Sequence, residues 1–353
     1  MKNKEKSMKI SVIIPAYRSE ETQLQRAVSS VLTQEYPDLE ILIIDDGNEP
    51  KYLPILQKVS ETDDRIRVLH VPHGGVSAAR NAGIRSAEGA YIFFLDADDL
   101  LVPGCLKEAA EIAERENADL LIGGTAAVYD GTVRAKRLPE TEIIRINHKN
   151  RTWIKKIMLG EIERVTPEVF FNRGIAARLV KTEVAQRHLF DQTLAYGEDT
   201  LFNMDIICSE SRVVLVKQAW YYYVRNQDSA THRYNPDIFQ QETASLTRLR
   251  TYVDLENPAE LKGWCERIRF VLNEMFSCWL NRPEWQASRA EKKKAMDQIY
   301  TSFPYTDLCT AQAVRTADRK EQIKYRLFRK RKLFQVWRIT YSLRRLAGKK
   351  NEW

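Results

Sequence analysis

Apolar residues along the first 125 positions follow two alternating rhythms. Short runs rich in β-branched residues, KISVIIPAY (9–17), LEILIIDDG (39–47), RIRVLH (65–70), YIFFLD (91–96) and ADLLIGG (118–124), read as buried strands. Between them, apolar positions recur at helical spacing. Leu24, Ala27, Val28, Val31 and Leu32 do so after Ser19, a suitable N-cap, and Leu106, Ala109, Ala110, Ile112 and Ala113 after Pro103. The stretch 51–61 predicts a helix broken at Pro54, and 74–89 a turn that runs into a helix. Strands alternating with helices at this interval predict an α/β domain with a mostly parallel sheet covered on both faces. Such sheets bind ligands beyond the carboxyl ends of their strands.

The pattern then loosens. Residues 126–180 hold two short strand-like pieces and a helix near 151–158; 198–208 reads as a helix and 212–226 as a strand. From 236 to 300 the periodicity is helical and Trp-rich, and no internal repeat is visible. The length of 353 residues suits one large domain or a domain with a smaller companion. No apolar run approaches the roughly 20 residues that cross a bilayer. The opening MKNKEKSMKISVIIP reads as the lead into a strand rather than a signal peptide. Five scattered cysteines, an odd number without a CxxC pair, predict reduced thiols in a cytosolic setting and no zinc site.

Charge changes the picture only at the C-terminus. From Asp318 to Trp353, thirteen Lys/Arg face three Asp/Glu, a balance of +10 within a whole-chain charge of +7, so the remainder is net acidic. In 323–350, Ile323, Leu327, Phe334, Trp337 and Tyr341 share one helical face among basic residues. That pattern fits a helix lying on an anionic membrane surface, a terminal helix docked on the rest of the chain, or a nucleic-acid patch. Nucleic acid fits least, because the remainder is acidic and carries no recognition motif.

The acids at the strand ends carry the chemistry. Asp96 and Asp98 flank one residue, so in extended backbone their side chains leave the same face. A hard cation, Mg²⁺ or Mn²⁺, suits such a pair when substrate phosphates complete its shell. Alone, the same residues read more readily as acids that favour the start of the next helix. A second acidic pair, Asp45-Asp46, at another strand end favours the cation. No GxGxxG or Walker loop is present, so glycine backbone does not cradle a phosphate here.

Five segments, SVIIPAY (11–17), EILIIDDG (40–47), GGVSAARNAGI (74–84), EGAYIFFLDADD (88–99) and YGEDTLFN (196–203), occur in order. Together they resemble bacterial family-2 glycosyltransferases of the cell-surface polysaccharide type, with the GT-A type fold. The resemblance implies that Pro15, Tyr17 and Asp46 line a nucleoside pocket and that Arg80 lies over the nucleotide side of the cleft. It further implies that Asp96 reaches ribose and metal, that Asp98 binds the metal, and that Asp199 is the general base with Glu198 orienting it. Without the upstream motifs, Glu198-Asp199 reads simply as an acidic helix start. His232 and Arg233 in DSATHRY (228–234) would contact diphosphate or lie in a solvated loop. Arg18 and Asn48-Glu49 depart from the family's usual residues beside the pocket. His70, His73 and His188 read as surface or structural groups, the Trp220–Tyr223 run as strand packing, and Arg178 and Lys181 as weak candidates on the acceptor side.

The expected organisation is a catalytic domain at 8–230, with a donor half (8–125) and an acceptor and base half (126–230). A helical region follows at 231–316, then a basic tail helix at 317–353. The expected activity is metal-dependent, inverting transfer of a sugar from a nucleotide-sugar, in particular a UDP-sugar, to a lipid-linked cell-surface glycan. The enzyme would be cytoplasmic and peripheral at the inner face of the membrane. A nucleotidyltransferase acting on a sugar phosphate is the rival enzyme, and a non-catalytic nucleotide-sugar-binding protein of the same fold is the rival of another kind.

Overall fold

The chain opens as β1 (Ile10–Ala16), α1 (Glu21–Leu32), β2 (Leu39–Asp46), α2 (Leu53–Ser60), β3 (Ile66–Val71), α3 (Gly75–Ser86) and β4 (Tyr91–Phe94). It continues through β5 (Leu100–Leu101), α4 (Cys105–Glu116), β6 (Leu120–Val128), β7 (Ile143–Arg145), α5 (Arg151–Leu159), β8 (Glu163–Arg164) and β9 (Val169–Phe171). Then come β10 (Arg178–Lys181), α6 (Thr182–Arg187), α7 (Glu198–Cys208) and β11 (Val213–Val224). The structure, a computed structural model, describes residues 8–128, 138–209, 211–224 and 234–346. It divides into two units, the first formed by 1–158, 162–193 and 198–225, the second by 159–161, 194–197 and 226–353.

In the first unit the strands form one sheet in the order β3-β2-β1-β4-β10-β6-β11-β5. β1 pairs in parallel with β2 on one side and β4 on the other, while β10 enters antiparallel between β4 and β6. After β1 the chain builds outward to β2 and β3, then returns to place β4 on the opposite side of β1. That reversal opens a crevice at the carboxyl ends of β1 and β4, where ligands bind in open α/β sheets. Every residue of β2 and β4 is buried, as continuous apolar runs in a doubly covered sheet require.

Helix faces follow the periodicity: α1 buries Leu24, Ala27, Val28 and Val31, and α4 buries Leu106, Ala109, Ala110, Ile112 and Ala113. Boundaries differ from expectation. Glu20 rather than Ser19 is the N-cap of α1, and α4 starts from Gly104 in a left-handed conformation, φ 76°, after Pro103. Pro54 does not break a helix but sits in the first turn of α2, where its missing N–H has no partner to lose. The strand expected at 118–124 extends as β6 to Val128.

The second unit carries α8 (Ile238–Leu249), α9 (Pro258–Met275), α10 (Arg289–Thr301), α11 (Ala311–Thr316), α12 (Arg319–Arg329) and α13 (Leu333–Leu346). Trp264, Ile268 and Leu272 of α9 are fully buried. Ser288 and Glu291 start α10 with a reciprocal capping box. The basic tail corrects a sequence expectation. It is not one helix with one apolar face, because Arg331 turns the chain through a left-handed conformation, φ 55°, between α12 and α13. Ile323 is 58% exposed whereas Phe334 and Trp337 are buried. The Phe334 ring lies 5.2 Å from Tyr300, and Trp337 lies 5.7 Å from Phe276. These aromatics therefore serve the unit's own core rather than a membrane; the side chain of Tyr341 lies outside the described residues. Among the described residues no helix is long and apolar enough to cross a membrane.

Truncating a packed ring on α13 should therefore cost more than truncating an exposed residue on the same helix. Phe334→Ala is expected to lower stability by about 3 kcal/mol in urea denaturation of the full chain, with Ile339→Ala nearly neutral. Equal effects of the two substitutions would refute this packing.

Candidate active site

The acids at the end of β2 are held tightly. Asp45 pairs through Oδ2 with His70 Nδ1 at 2.6 Å and accepts the backbone and side-chain N–H groups of Asn48 at 2.9 and 2.6 Å. Burial pushes the Asp45 carboxyl up, but the His70 ring and the Asn48 donors together hold it below its ordinary value. Asn48 also donates to the Ala16 carbonyl at 2.8 Å and accepts from the Arg18 N–H at 2.6 Å. This one side chain thus staples the turn after β1 to the turn after β2. Arg18, left-handed at φ 50°, pairs with Glu49 at 2.6 Å. The two departures from the family's usual residues are therefore partners of one another.

Asp46 is 2% exposed and accepts the N–H groups of Gly74 and Gly75 at 2.8 and 3.0 Å, with His73 Nδ1 2.9 Å from Oδ2. A side chain at Gly47 is excluded, since a Cβ there would stand 2.5 Å from the His73 nitrogen and φ is +65°. The His73 ring stacks on Tyr17 with centroids 4.3 Å apart, and Tyr17 keeps 40% of its surface exposed. Tyr17 and Asp46 are thus brought together at the crevice beside Pro15, and His73 joins them. In sequence His73 reads only as a surface or structural group, because it shares no metal-ligand spacing with His70 or His188.

The acids after β4 divide into two kinds. Asp99 is buried and turned inward; it accepts the Tyr221 hydroxyl and the Val224 N–H, each at 2.8 Å. Tyr221 in turn accepts the Asp96 N–H at 3.1 Å, so β11 fixes the acidic turn from below. Burial, together with the Asp96 and Asp98 charges, pushes the Asp99 carboxyl up to about 8. Asp96 and Asp98 remain partly exposed. Among the described residues no group of three or more His, Cys, Asp or Glu side chains could by itself hold a metal. The Asp96 and Asp98 pair nonetheless fits Mg²⁺ or Mn²⁺, because both supply hard oxygen donors and such ions commonly take the rest of their shell from substrate phosphates and water.

Arg80 of α3 connects this turn to the start of α7. It is 4% exposed, and its Nη2 lies 3.0 Å from Asp96 Oδ1 while Nη1 lies 3.3 Å from both Glu198 Oε1 and Asp199 Oδ1. The structure thus places Arg80 between the two acidic groups, in contact with both. Burial alone would lower the guanidinium's proton affinity, but Asp199, Asp96 and Glu198 raise it. Phe190 closes the other side, its ring centroid 5.3 Å from the guanidinium carbon.

Glu198 and Asp199 titrate as a pair. Burial and the neighbouring Asp199 drive the Glu198 carboxyl well above its ordinary value. Burial also works against a charged Asp199, but Arg80, the Glu198 hydrogen bond and the Ile175 N–H outweigh it and hold that carboxyl low. At neutral pH the arrangement is a protonated Glu198 donating to an ionised Asp199. The Asp199 side chain keeps 27% of its surface exposed, so a hydroxyl can reach it. His232 and Arg233 lie outside the described residues. Arg178, a weak candidate on the acceptor side, is fully buried.

Residues 11–182 match the family described as Glycosyl transferase family 2. The chain belongs to this family, and its fold is of the GT-A type. It is 31% identical over 222 residues to the succinoglycan biosynthesis protein ExoW of Rhizobium meliloti, covering 60% of this chain and 67% of that one. It is 30% identical over 224 residues to the uncharacterized glycosyltransferase EpsJ of Bacillus subtilis, covering 63% of this chain and 62% of EpsJ. Among solved structures, TarS 1–349 of Staphylococcus aureus in complex with UDP-GlcNAc superposes with a TM-score of 0.63 at 18% identity, covering 98% of this chain and 93% of that one.

The pair makes a pH prediction. Asp199→Asn should lower turnover by about 10²–10⁴-fold, whereas Glu198→Gln, which still donates, should keep activity at neutral pH. In the parent chain, activity should fall on the alkaline side as Glu198 loses its proton and a second charge is forced beside Asp199. That alkaline limb should vanish in Glu198→Gln. A pH profile of kcat checks both, and an unchanged alkaline limb in Glu198→Gln would contradict the proton assignment.

Proposed function

We propose that the chain transfers a sugar, with inversion, from a UDP-sugar to a hydroxyl of a growing cell-surface glycan carried on a lipid. The observation that carries this reading is the single Arg80 guanidinium shared by Asp96 and the Glu198-Asp199 pair. It sets a candidate metal acid and a candidate base on one crevice, at the strand ends where a nucleotide-sugar would lie. Tyr17, Pro15, Asp46 and His73 form the nucleoside end of that crevice. The resemblance to TarS bound to UDP-GlcNAc supports uracil as the base.

In this mechanism Asp199 takes the proton of the acceptor hydroxyl as that oxygen attacks the anomeric carbon. Glu198 keeps the Asp199 carboxylate oriented, and Arg80 keeps it ionised. Asp96 and Asp98 would hold Mg²⁺ or Mn²⁺, which when bound supplies positive charge for the leaving diphosphate. Asp99 stays out of the chemistry and holds the turn. The rival nucleotidyltransferase reading lacks the glycine-rich basic loop expected after β1, where this chain has Pro15-Ala16-Tyr17-Arg18. The presence of both Asp98 and Asp199 speaks against a purely binding role.

Contact with an anionic membrane is proposed for the basic segment 318–350, through its exposed Lys and Arg rather than its buried aromatics. The exposed Ile323 and Ile339 sit among these charges.

Asp98→Ala should abolish the gain in UDP affinity that Mn²⁺ confers, measured by calorimetry with and without the ion; equal gains in parent and variant would remove Asp98 from the metal site. Vesicles containing anionic lipid should co-sediment with the full chain at low salt and release it as salt rises. Binding to neutral vesicles of equal strength would contradict the electrostatic contact.

A further inference from the structure

The turn between β9 and β10 is built around Asp199, and the sequence gives no hint of it. The Ile175 N–H faces the Asp199 carboxylate and favours its ionised form. Gly174 lies so close that a Cβ there would stand 3.3 Å from Asp199 Oδ2. Four carbonyls of this turn are held from behind by two side chains that are both fully buried. Arg178 donates through Nη1 to the Ala176 carbonyl at 2.6 Å and through Nη2 to the Asn172 carbonyl. Asn203 donates through Nδ2 to the Arg173 and Gly174 carbonyls, each at 3.0 Å. Arg178 Nε also lies 3.4 Å from Asn203 Oδ1, joining the two clamps.

Asn203 stands four residues after Asp199, on the same side of α7. One helix face therefore presents a carboxylate to the turn's N–H and an amide to its carbonyls. A buried arginine is costly unless its donors are used, and here the described acceptors are backbone carbonyls and an amide rather than a carboxylate in direct contact. Its fork spans two carbonyls four residues apart, which the single ammonium of a lysine does not.

We infer that Arg178 is a positioning residue for the transfer reaction. By fixing the 172–176 turn it aims the Ile175 N–H at Asp199 and sets the wall against which the carboxylate rests, without touching substrate. This rests on the reading of Asp199 as the base. Loss of the clamp frees the turn, withdraws one donor from the ionised carboxylate, and so raises the pH at which Asp199 becomes protonated.

The test uses the full chain with Mn²⁺ and UDP-GlcNAc as probe, water serving as acceptor, and follows UDP release across pH. Arg178→Met and Arg178→Lys should each lower kcat about tenfold, because the carboxylate is no longer held in line with the attacking hydroxyl, with KM for UDP-GlcNAc unchanged. In both, the acid limb of kcat should move to higher pH. Asn203→Ala, which releases the same turn by removing the hold on the Arg173 and Gly174 carbonyls, should move kcat and the acid limb in the same directions and tests the turn's role if the Arg178 variants do not fold. An unmoved acid limb in the folded variants overturns the inference, as does a parallel loss of kcat and of affinity for UDP-GlcNAc. Asp199→Asn separates the two readings. If it keeps turnover, the base assignment fails; if it loses turnover while the folded variants match the parent chain, only the positioning role fails.

Discussion

A buried guanidinium among three carboxylates governs this structure. Arg80 meets Asp96, Glu198 and Asp199 within 3.3 Å while itself almost fully enclosed. Without it, the mostly enclosed Glu198, the partly exposed Asp199 and the more exposed Asp96 would converge with no other cation in direct contact among the described residues. Breaking such a pair by removing one partner typically costs about 3–5 kcal/mol. With it, the acids split into an ionised Asp199 and a protonated Glu198, and the acidic turn after β4 is tied to the start of α7. The electrostatics of the candidate base and the geometry of the crevice have the same source.

Around that contact the acids take different duties according to where the sheet leaves them. Asp45 and Asp99 face inward and act as acceptors for turns and a tyrosine. Asp46 closes the turn into α3 beneath the Tyr17 and His73 stack. Asp96 and Asp98 stay toward the crevice. Several carboxylates can therefore sit together at the end of a buried strand. In Asp96-Ala97-Asp98-Asp99 they do not all point to one place, and the inward one, Asp99, is held by the Tyr221 hydroxyl and the Val224 N–H.

The second unit shows the same dependence of role on packing. Its basic tail has an amphipathic pattern that fits a membrane surface, yet a left-handed residue at Arg331 turns Phe334 and Trp337 into a core shared with Phe276 and Tyr300. Periodicity reports that a face is apolar. It does not report what covers it.

Much was legible in the sequence because it is local. Strand and helix positions up to 125 follow from periodicity, the crevice from the alternation of elements, and the acids of the site from their place at strand ends. Tertiary structure decided the rest: that Arg80 bridges Asp96 and Asp199, that Asp99 is structural, that His73 joins Tyr17, and that Arg178 and Asn203 hold the turn against the base. Each of these contacts joins residues on different elements or on opposite sides of a turn. The energy of a charge in such a place depends on burial and on partners brought there only by the fold, and no spacing along the chain encodes either.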